Sequence, residues 1–129
     1  MAKREFPPAF RTFVNKNITS VEQIEVLLIL HANPDRVWTV GEISAILRSS
    51  PYAIESRMPG LIAAKLARSV EGGYQYAASG RAHAYVETLQ EEYSARRFSV
   101  IELVFSKPDP LQSFADAFRL KEEGDDVGR

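Results

Sequence analysis

At 129 residues, 45% hydrophobic and 26% charged, the chain has the size and composition of one globular domain with a single core. It contains no cysteine, which excludes disulfides, thiolate zinc sites and thiol nucleophiles. Residues 1–16 carry four bases against one acid (+3), residues 38–81 carry five against three (+2), and residues from 82 onward carry six against ten (−4). This distribution permits nucleic-acid binding but is milder than the basic balance typical of such domains.

We expect no secretory signal, because Pro7 and Pro8 follow the basic Lys3 and Arg4 where an apolar segment would be needed. The longest strongly apolar run, Val26 to Leu30, is far shorter than the ~20 residues that cross a bilayer. We therefore expect a cytoplasmic protein that does not contact membranes.

Residues 1–19 are predicted to form an N-terminal arm with one short helix. Phe6, Phe10, Phe13 and Val14 fall at helical spacing after the two prolines, so this helix has an apolar face. Such a face must be covered, either by the core of the same chain or by a second subunit.

Two capping boxes open the next two helices. Ser20 to Gln23 precedes a helix over Val21–Ala32 that is apolar on nearly every side, which is typical of a central buried helix. Trp38 lies in a short extended link and is expected to anchor the core. Thr39 to Glu42 opens a helix that turns Ile43, Ile46 and Leu47 inward.

The third helix after the N-terminal arm begins at Ser50-Pro51, with serine as the N-cap and proline at the first helical position. Ile54, Met58, Leu61 and Ile62 then fall on one stripe. Pro59-Gly60 interrupts this helix, so we expect it either to bend or to continue as a separate turn. Two capped helices joined by a short polar turn form a helix-turn-helix pair.

A β-hairpin follows the third helix. Its predicted strands, residues 66–70 and 74–77, are joined by Glu71-Gly72-Gly73, and glycine reaches the positive φ that tight turns need.

Residues 81–107 contain neither glycine nor proline, and their apolar positions predict one long helix of ~40 Å. Residues 98–105 are rich in β-forming side chains and could instead form a strand; we favour the helix because nothing breaks the pattern before Pro108. Asp109-Pro110 then opens a short return helix. Residues 122–129 form an acidic tail that we expect to be disordered.

Residues 20–81 resemble a bacterial winged-helix transcription regulator. The positions that carry the resemblance are Ile54, Met58, Leu61, Leu66, Gly72, Gly73, Tyr74, Tyr76 and Gly80. Such proteins usually have glycine near position 65, so Lys65 must use another helix end or tolerate strain. The helices after the hairpin (residues 82–121) are similar to the dimerising additions of several regulator groups.

The predicted fold is therefore mainly α with a small β-hairpin wing (α+β). It is a winged helix-turn-helix with an N-terminal helical arm and a C-terminal long helix plus a short return helix. The resemblance implies a DNA-binding transcriptional regulator that acts as a homodimer on double-stranded DNA.

The residue types on the third helix favour phosphate contacts over base reading, because its outward face lacks the Arg, Lys, Asn or Gln side chains that read base edges. The candidate DNA-contacting residues are Arg48, Ser49, Tyr52, Ser56, Arg57, Lys65 and Arg68, with Glu71, Gly72 and Gly73 at the wing. The alternative is a protein-interaction module that docks through Tyr52, Ser56, Gly60 and Ala63, or through an amphipathic contact of Leu111, Phe114 and Phe118.

Self-association is predicted to use the arm and the C-terminal helices. The candidate interface residues are Phe6, Phe10, Val86, Leu89, Tyr93, Arg97, Val100, Val104, Phe114 and Phe118. Arg97 lies within the apolar stripe, so either its stem packs while its head reaches water or an acid, or it forms an inter-subunit ion pair with Glu22, Glu25 or Glu102.

No pattern in the sequence indicates an enzyme. Two histidines without cysteines make no convincing zinc set, and neither a nucleophile elbow nor a phosphate-binding glycine loop occurs. We therefore expect no catalytic residues, no metal and no cofactor.

Overall fold

The computed structural model describes residues 6–106, which form six helices and one two-stranded antiparallel sheet. The helices are α1 (Pro8–Asn17), α2 (Val21–Ala32), α3 (Val40–Leu47), α4 (Pro51–Ala63), α5 (Gly80–Ala95) and α6 (Arg97–Phe105). The strands are β1 (Ala67–Val70) and β2 (Gly73–Tyr76). The fold of this part of the chain is mainly α with a β-hairpin wing after α4, which confirms the predicted winged helix-turn-helix class.

Local capping groups set the starts of α2, α3 and α4, as the sequence predicted. Thr39 and Glu42 form a complete capping box, and Ser50 Oγ accepts a bond from Ala53 N at 3.0 Å. At α2 the pattern differs by one residue: Ser20 Oγ accepts from Gln23 N, but the Gln23 side chain accepts from Thr19 N at 2.8 Å rather than from the cap residue itself.

The hairpin pairs Ala67 with Tyr76 and Val70 with Gly73. Trp38 forms a single antiparallel bridge to the hairpin, because its N–H and C=O exchange 2.8 Å bonds with those of Tyr74. The Trp38 side chain is buried, as predicted. The wing is therefore fixed at its base to the segment that precedes α3.

The core is built around α2, which contributes four fully buried aliphatic side chains: Ile24, Val26, Leu27 and Leu30. Ile54, Met58 and Leu61 of α4 pack into the same core, as their spacing predicted. Two predictions of inward-facing residues were wrong, because Ile46 is 55% exposed and Ile62 is 36% exposed. Each lies at the edge of a narrow apolar stripe whose centre is enough to cover the neighbouring helix.

Pro59 lies inside α4 without ending it, so the helix is not divided into a helix and a separate turn. Pro59 and Gly60 are both on the exposed side. The buried amide of Gln23 donates to the Arg57 carbonyl at 3.3 Å, and a Cβ on Gly60 would stand 2.7 Å from that amide nitrogen. Glycine at position 60 therefore leaves room for the end of the Gln23 side chain between α2 and α4.

The prediction of one unbroken helix over residues 81–107 was wrong, because the helix ends at Ala95 and a new one starts at Arg97. Arg96, with φ −138° and ψ 59°, makes the corner. A straight helix would carry Val100, Leu103 and Val104 away from the core, whereas the corner folds α6 onto α1 and buries all three. Burying an aliphatic side chain is worth about 1.5–3 kcal/mol, which outweighs the roughly 1 kcal/mol of a lost backbone hydrogen bond. Residues 98–105 are helical, as favoured over the strand.

The N-terminal arm packs on its own chain. Phe6, Phe10, Phe13 and Val14 are buried, and the rings of Phe13 and Tyr85 lie 5.0 Å apart. The predicted return helix and the acidic tail lie outside the described residues. None of the described helices is long and apolar enough to span a membrane.

Candidate nucleic-acid interface

The turn between α3 and α4 is built on Arg48, whose φ of 56° places it in the left-handed region. This conformation lets Ser49 N donate to the Ser44 carbonyl at 3.1 Å and closes the end of α3. The Arg48 side chain is exposed. The turn thus holds a cation just before the start of α4.

The end of α4 repeats this arrangement at Lys65, with φ 62°. Lys65 N donates to the Ile62 carbonyl and Leu66 N donates to the Leu61 carbonyl, each at 2.9 Å, which is the hydrogen-bond pattern of a Schellman motif. Leu66 and Leu61 are both buried, as that motif favours. Lys65 therefore occupies the left-handed position that glycine usually occupies at the end of a helix, and its backbone is strained there.

The outer face of α4 consists of small, apolar and acidic side chains. Tyr52 is 84% exposed, and Glu55, Ser56, Pro59 and Ala63 follow along the same exposed side. The Ser56 hydroxyl donates to the Ala53 carbonyl at 2.6 Å, which leaves its oxygen lone pairs as acceptors. This face lacks the forked donors that read base edges, in agreement with the sequence prediction.

Arg57 is directed toward α2, where Glu22 receives two bonds. Arg57 Nε donates to Glu22 Oε1 at 2.9 Å, and Ser49 Oγ donates to Glu22 Oε2 at 2.5 Å. The Ser49 hydroxyl bond, followed by the Arg57 bond and charge, lowers the pKa of Glu22 below its ordinary value despite partial burial. Two predicted DNA-contacting residues, Ser49 and Arg57, thus act as partners of a carboxylate of the same chain.

Arg68 lies on β1 and is held across the wing by Gln75. Its Nε and Nη2 atoms donate to Gln75 Oε1 at 2.9 and 2.7 Å, and Gln75 Nε2 donates to the Asp35 carbonyl at 2.8 Å. The guanidinium is therefore oriented by a neutral amide and keeps its charge. Gln75 was not among the predicted site residues, although its cross-strand register with Arg68 follows from the hairpin.

The wing tip is Glu71-Gly72, followed by Gly73 at the start of β2. Gly72 and Gly73 have φ of 92° and 150°, and a Cβ on Gly73 would stand 2.0 Å from the Trp38 carbonyl oxygen. Glycine at position 73 is thus required by the bridge between Trp38 and Tyr74. The exposed Glu71 gives the tip a negative charge.

The described dimer candidates fall into two groups. Six are buried within the core of the single chain, so in this arrangement they have no surface to offer a second copy: Phe6, Phe10, Val86, Leu89, Val100 and Val104. Tyr93 and Arg97 donate to Glu25 Oε2 of the same chain at 2.8 and 3.2 Å. Phe114 and Phe118 lie outside the described residues.

An exposed apolar strip on α6 was not among the predicted interface residues. Phe98 is 83% exposed and Phe105 is 73% exposed, with the half-buried Ile101 between them at helical spacing. We call these three residues the α6 strip. These residues were missed because the apolar stripe was predicted for one continuous helix over residues 81–107.

No protein-family model matches the chain, and no curated protein matches it. Among solved structures it is similar to a MarR-family transcriptional regulator from Silicibacter pomeroyi, with 16% identity and a TM-score of 0.48 over 92% of this chain and 82% of that one. It is also similar to a mutant form of ZitR from Lactococcus lactis, with 18% identity and a TM-score of 0.49 over 95% and 81% of the two chains. The multiple antibiotic-resistance repressor from Listeria monocytogenes has 14% identity and a TM-score of 0.45 over 89% and 81%.

Proposed function

We propose that the chain is a DNA-binding transcriptional regulator that works as a winged-helix homodimer. The observation that supports this proposal is that three exposed cations flank α4 along the chain. Arg48 precedes the helix, Lys65 follows it and Arg68 lies on the wing, and none of the three has an acidic partner among residues 6–106. Cations without an intramolecular carboxylate are free to neutralise phosphates.

The spacing of these cations suits a duplex. The 13 residues of α4 extend ~20 Å, so Arg48 and Lys65 lie at opposite ends of a rod that exceeds the ~12 Å width of a major groove. A helix lying in the groove would then have one cation toward each flanking backbone. Because the face between them lacks base-reading forks, we expect most of the affinity to come from phosphates.

Two glycine substitutions test the phosphate contacts without weakening the fold. Arg48→Gly and Lys65→Gly each remove a positive charge and also relieve a left-handed backbone. On a labelled generic duplex, each should flatten the plot of log affinity against log salt by about one unit. Arg97→Gln, which removes an equal charge from the Glu25 pair on α6, is the matched control and should leave the slope unchanged.

The absence of any salt-dependent binding of the wild-type chain at low ionic strength would refute DNA binding. Equal slopes for the wild type and both glycine variants would refute the assignment of these cations.

The α6 strip supports self-association of the described part of the chain. Phe98, Ile101 and Phe105 form one continuous apolar row, and fully burying a Phe side chain is worth about 1.5–3 kcal/mol. In light scattering, Phe98→Glu should shift the chain toward the monomer. Tyr52→Glu is the matched control, because Tyr52 is an aromatic residue of nearly equal exposure on another face. A wild-type monomer at high concentration would refute the dimer.

A protein-interaction module is the second candidate function. The exposed Tyr52 on a face without base-reading donors, and the pairing of Arg57 with Glu22, favour it. In that case Tyr52→Glu should abolish capture of a stoichiometric partner, while Arg48→Gly and Lys65→Gly leave that capture intact. Salt-dependent DNA binding together with no stoichiometric partner would reject this alternative.

A further inference from the structure

Two histidines and one glutamate meet between the end of α2 and the start of α5. His31 Nε2 lies 3.3 Å and His83 Nε2 lies 3.4 Å from the same carboxylate oxygen, Glu87 Oε2. One ligand atom from each of the three residues lies within 4.8 Å of the other two. The two histidines are 52 positions apart along the chain, so no local sequence pattern predicted a zinc site.

The cluster is held by backbone geometry and by aromatic packing. His83 and Glu87 are one turn apart on α5 and therefore share a face. The His31 side chain is mostly buried, and its ring lies 5.4 Å edge-on from that of Tyr76. Tyr76 is the last residue of β2, and its hydroxyl lies 2.7 Å from His83 Nδ1.

The distances fit ligands around an ion as well as they fit long hydrogen bonds. A protein N–H···O bond is usually about 2.9–3.0 Å long. Ligand atoms about 2.1 Å from a tetrahedral zinc ion lie about 3.4 Å from each other, close to the 3.3 and 3.4 Å seen here. Both imidazole nitrogens converge on one oxygen, as three donors would around a common centre.

We propose that His31, His83 and Glu87 form a divalent transition-metal site of the zinc class. Two imidazole nitrogens and one carboxylate oxygen are donors that suit Zn²⁺, and three protein ligands leave a fourth position open. Glu87 is 56% exposed, so that position faces solvent and can take a water molecule. This proposal does not rest on DNA binding.

Tyr76 supplies the outer partner that a metal-binding imidazole requires. With a metal on Nε2, His83 carries its proton on Nδ1 and donates it to the Tyr76 oxygen. Without metal, Nε2 can carry the proton toward Glu87, and Nδ1 then accepts from the tyrosine.

The site joins α2 to α5 and reaches the wing through a third element, β2. It spans the end of α2, the first two turns of α5 and, through Tyr76, the strand that returns from the wing. A bound ion would fasten the end of α2 to α5, and the Tyr76 hydroxyl would join the base of the wing to that site.

The test is a calorimetric titration of the full chain, cleared of metal with a chelator, with Zn²⁺ alone. We expect one ion per chain and a rise in the unfolding temperature. Removing the hydrogen-bond partner of a metal-binding imidazole typically costs 10–100-fold in affinity, so Tyr76→Phe should weaken binding by about that factor, and His83→Gln or Glu87→Gln should cost more. Tyr74→Phe and Glu91→Gln are the matched controls on the same strand and helix.

Co²⁺ provides a second measurement that does not depend on heat. Its visible spectrum should indicate a four-coordinate site in the wild type and lose that signature in His31→Gln, with circular dichroism confirming that the variant is folded. Binding at other than one ion per chain, unchanged affinity in the ligand variants, or an equal loss in Glu91→Gln would overturn the site.

Discussion

Arg57 Nε lies 2.9 Å from Glu22 Oε1, so the cation in the middle of α4 is joined to α2. We expect Glu22→Gln to leave the Arg57 charge uncompensated while keeping an oxygen for Ser49. The variant should bind duplex DNA several-fold more tightly at low salt, because one negative charge is lost and one positive charge becomes available. Fluorescence anisotropy measures this change. Unchanged affinity would place Arg57 away from the duplex.

The same substitution should change how stability depends on pH. The pKa of Glu22 is lowered in the folded chain, so its contribution to the free energy of unfolding is present above its ordinary value of 4.5 and is lost as the pH falls through the folded value. Urea unfolding should therefore show the wild type more stable than Glu22→Gln at pH 7, by about 1 kcal/mol. The difference should shrink below pH 4, and a difference that persists there would contradict the linkage.

Lys65→Gly should stabilise the chain. A left-handed conformation costs a non-glycine residue about 1–2 kcal/mol, which glycine avoids. The greater freedom of glycine in the unfolded chain lowers the free energy of unfolding by about 0.4–1 kcal/mol. The net gain of about 0.5–1 kcal/mol should appear as a higher urea midpoint with an unchanged m-value. Lys65→Ala, which keeps the strain, is the control and should show no gain. Destabilisation by glycine would mean that the Schellman turn does not hold this residue.

Local signals account for most of what the sequence predicted correctly. The caps at Thr39 and Ser50 and the glycine turn at Gly72 depend on residues within four positions of each other, so the sequence contains the whole interaction. The buried stripe of α4 follows from helical spacing alone.

Pairings over long separations could not be predicted in this way. The corner at Arg96 has no glycine or proline, and it forms because α6 gains a place to bury its apolar side on α1, about 90 residues earlier in the chain. Likewise, several acids are nearer to Arg57 in sequence than Glu22 is, among them Glu55, Glu42 and Glu71. Only the packing of α2 against α4 determines which carboxylate it contacts.

Gly73→Ala and Gly72→Ala should differ sharply although the residues are neighbours. A methyl group at position 72 meets nothing nearer than 3.9 Å, so its cost is the backbone strain of about 1–2 kcal/mol. At position 73 the methyl group would overlap the Trp38 carbonyl oxygen, which must break the bridge to Tyr74 and cost more than about 3 kcal/mol. Trp38 fluorescence during urea unfolding follows both variants. An equal loss of unfolding free energy in the two variants would refute the bridge between Trp38 and Tyr74.

Two tyrosines should make the fold sensitive to alkali. Burial raises the pKa of Tyr76 and of Tyr93 to about 12, helped by the charges of Glu87 and Glu25 respectively. Because the folded chain holds these protons more tightly than the unfolded chain does, their contribution is complete below pH 10 and is lost as the pH rises toward 12. The decline in unfolding free energy between pH 10 and pH 12 should be smaller in the Tyr76→Phe, Tyr93→Phe double variant. An equally steep decline would show that other groups cause it.

The packing of α6 against α1 also bears on the order in which the molecule is assembled during synthesis. The apolar side of α1 leaves the ribosome early, yet part of its covering comes from residues 97–105. Until those residues emerge, part of the apolar side of α1 stays exposed in the nascent chain, because the helix-turn-helix alone does not fully cover it. Chaperone contact during translation should therefore concentrate on the first helix and be released when the last described one is complete.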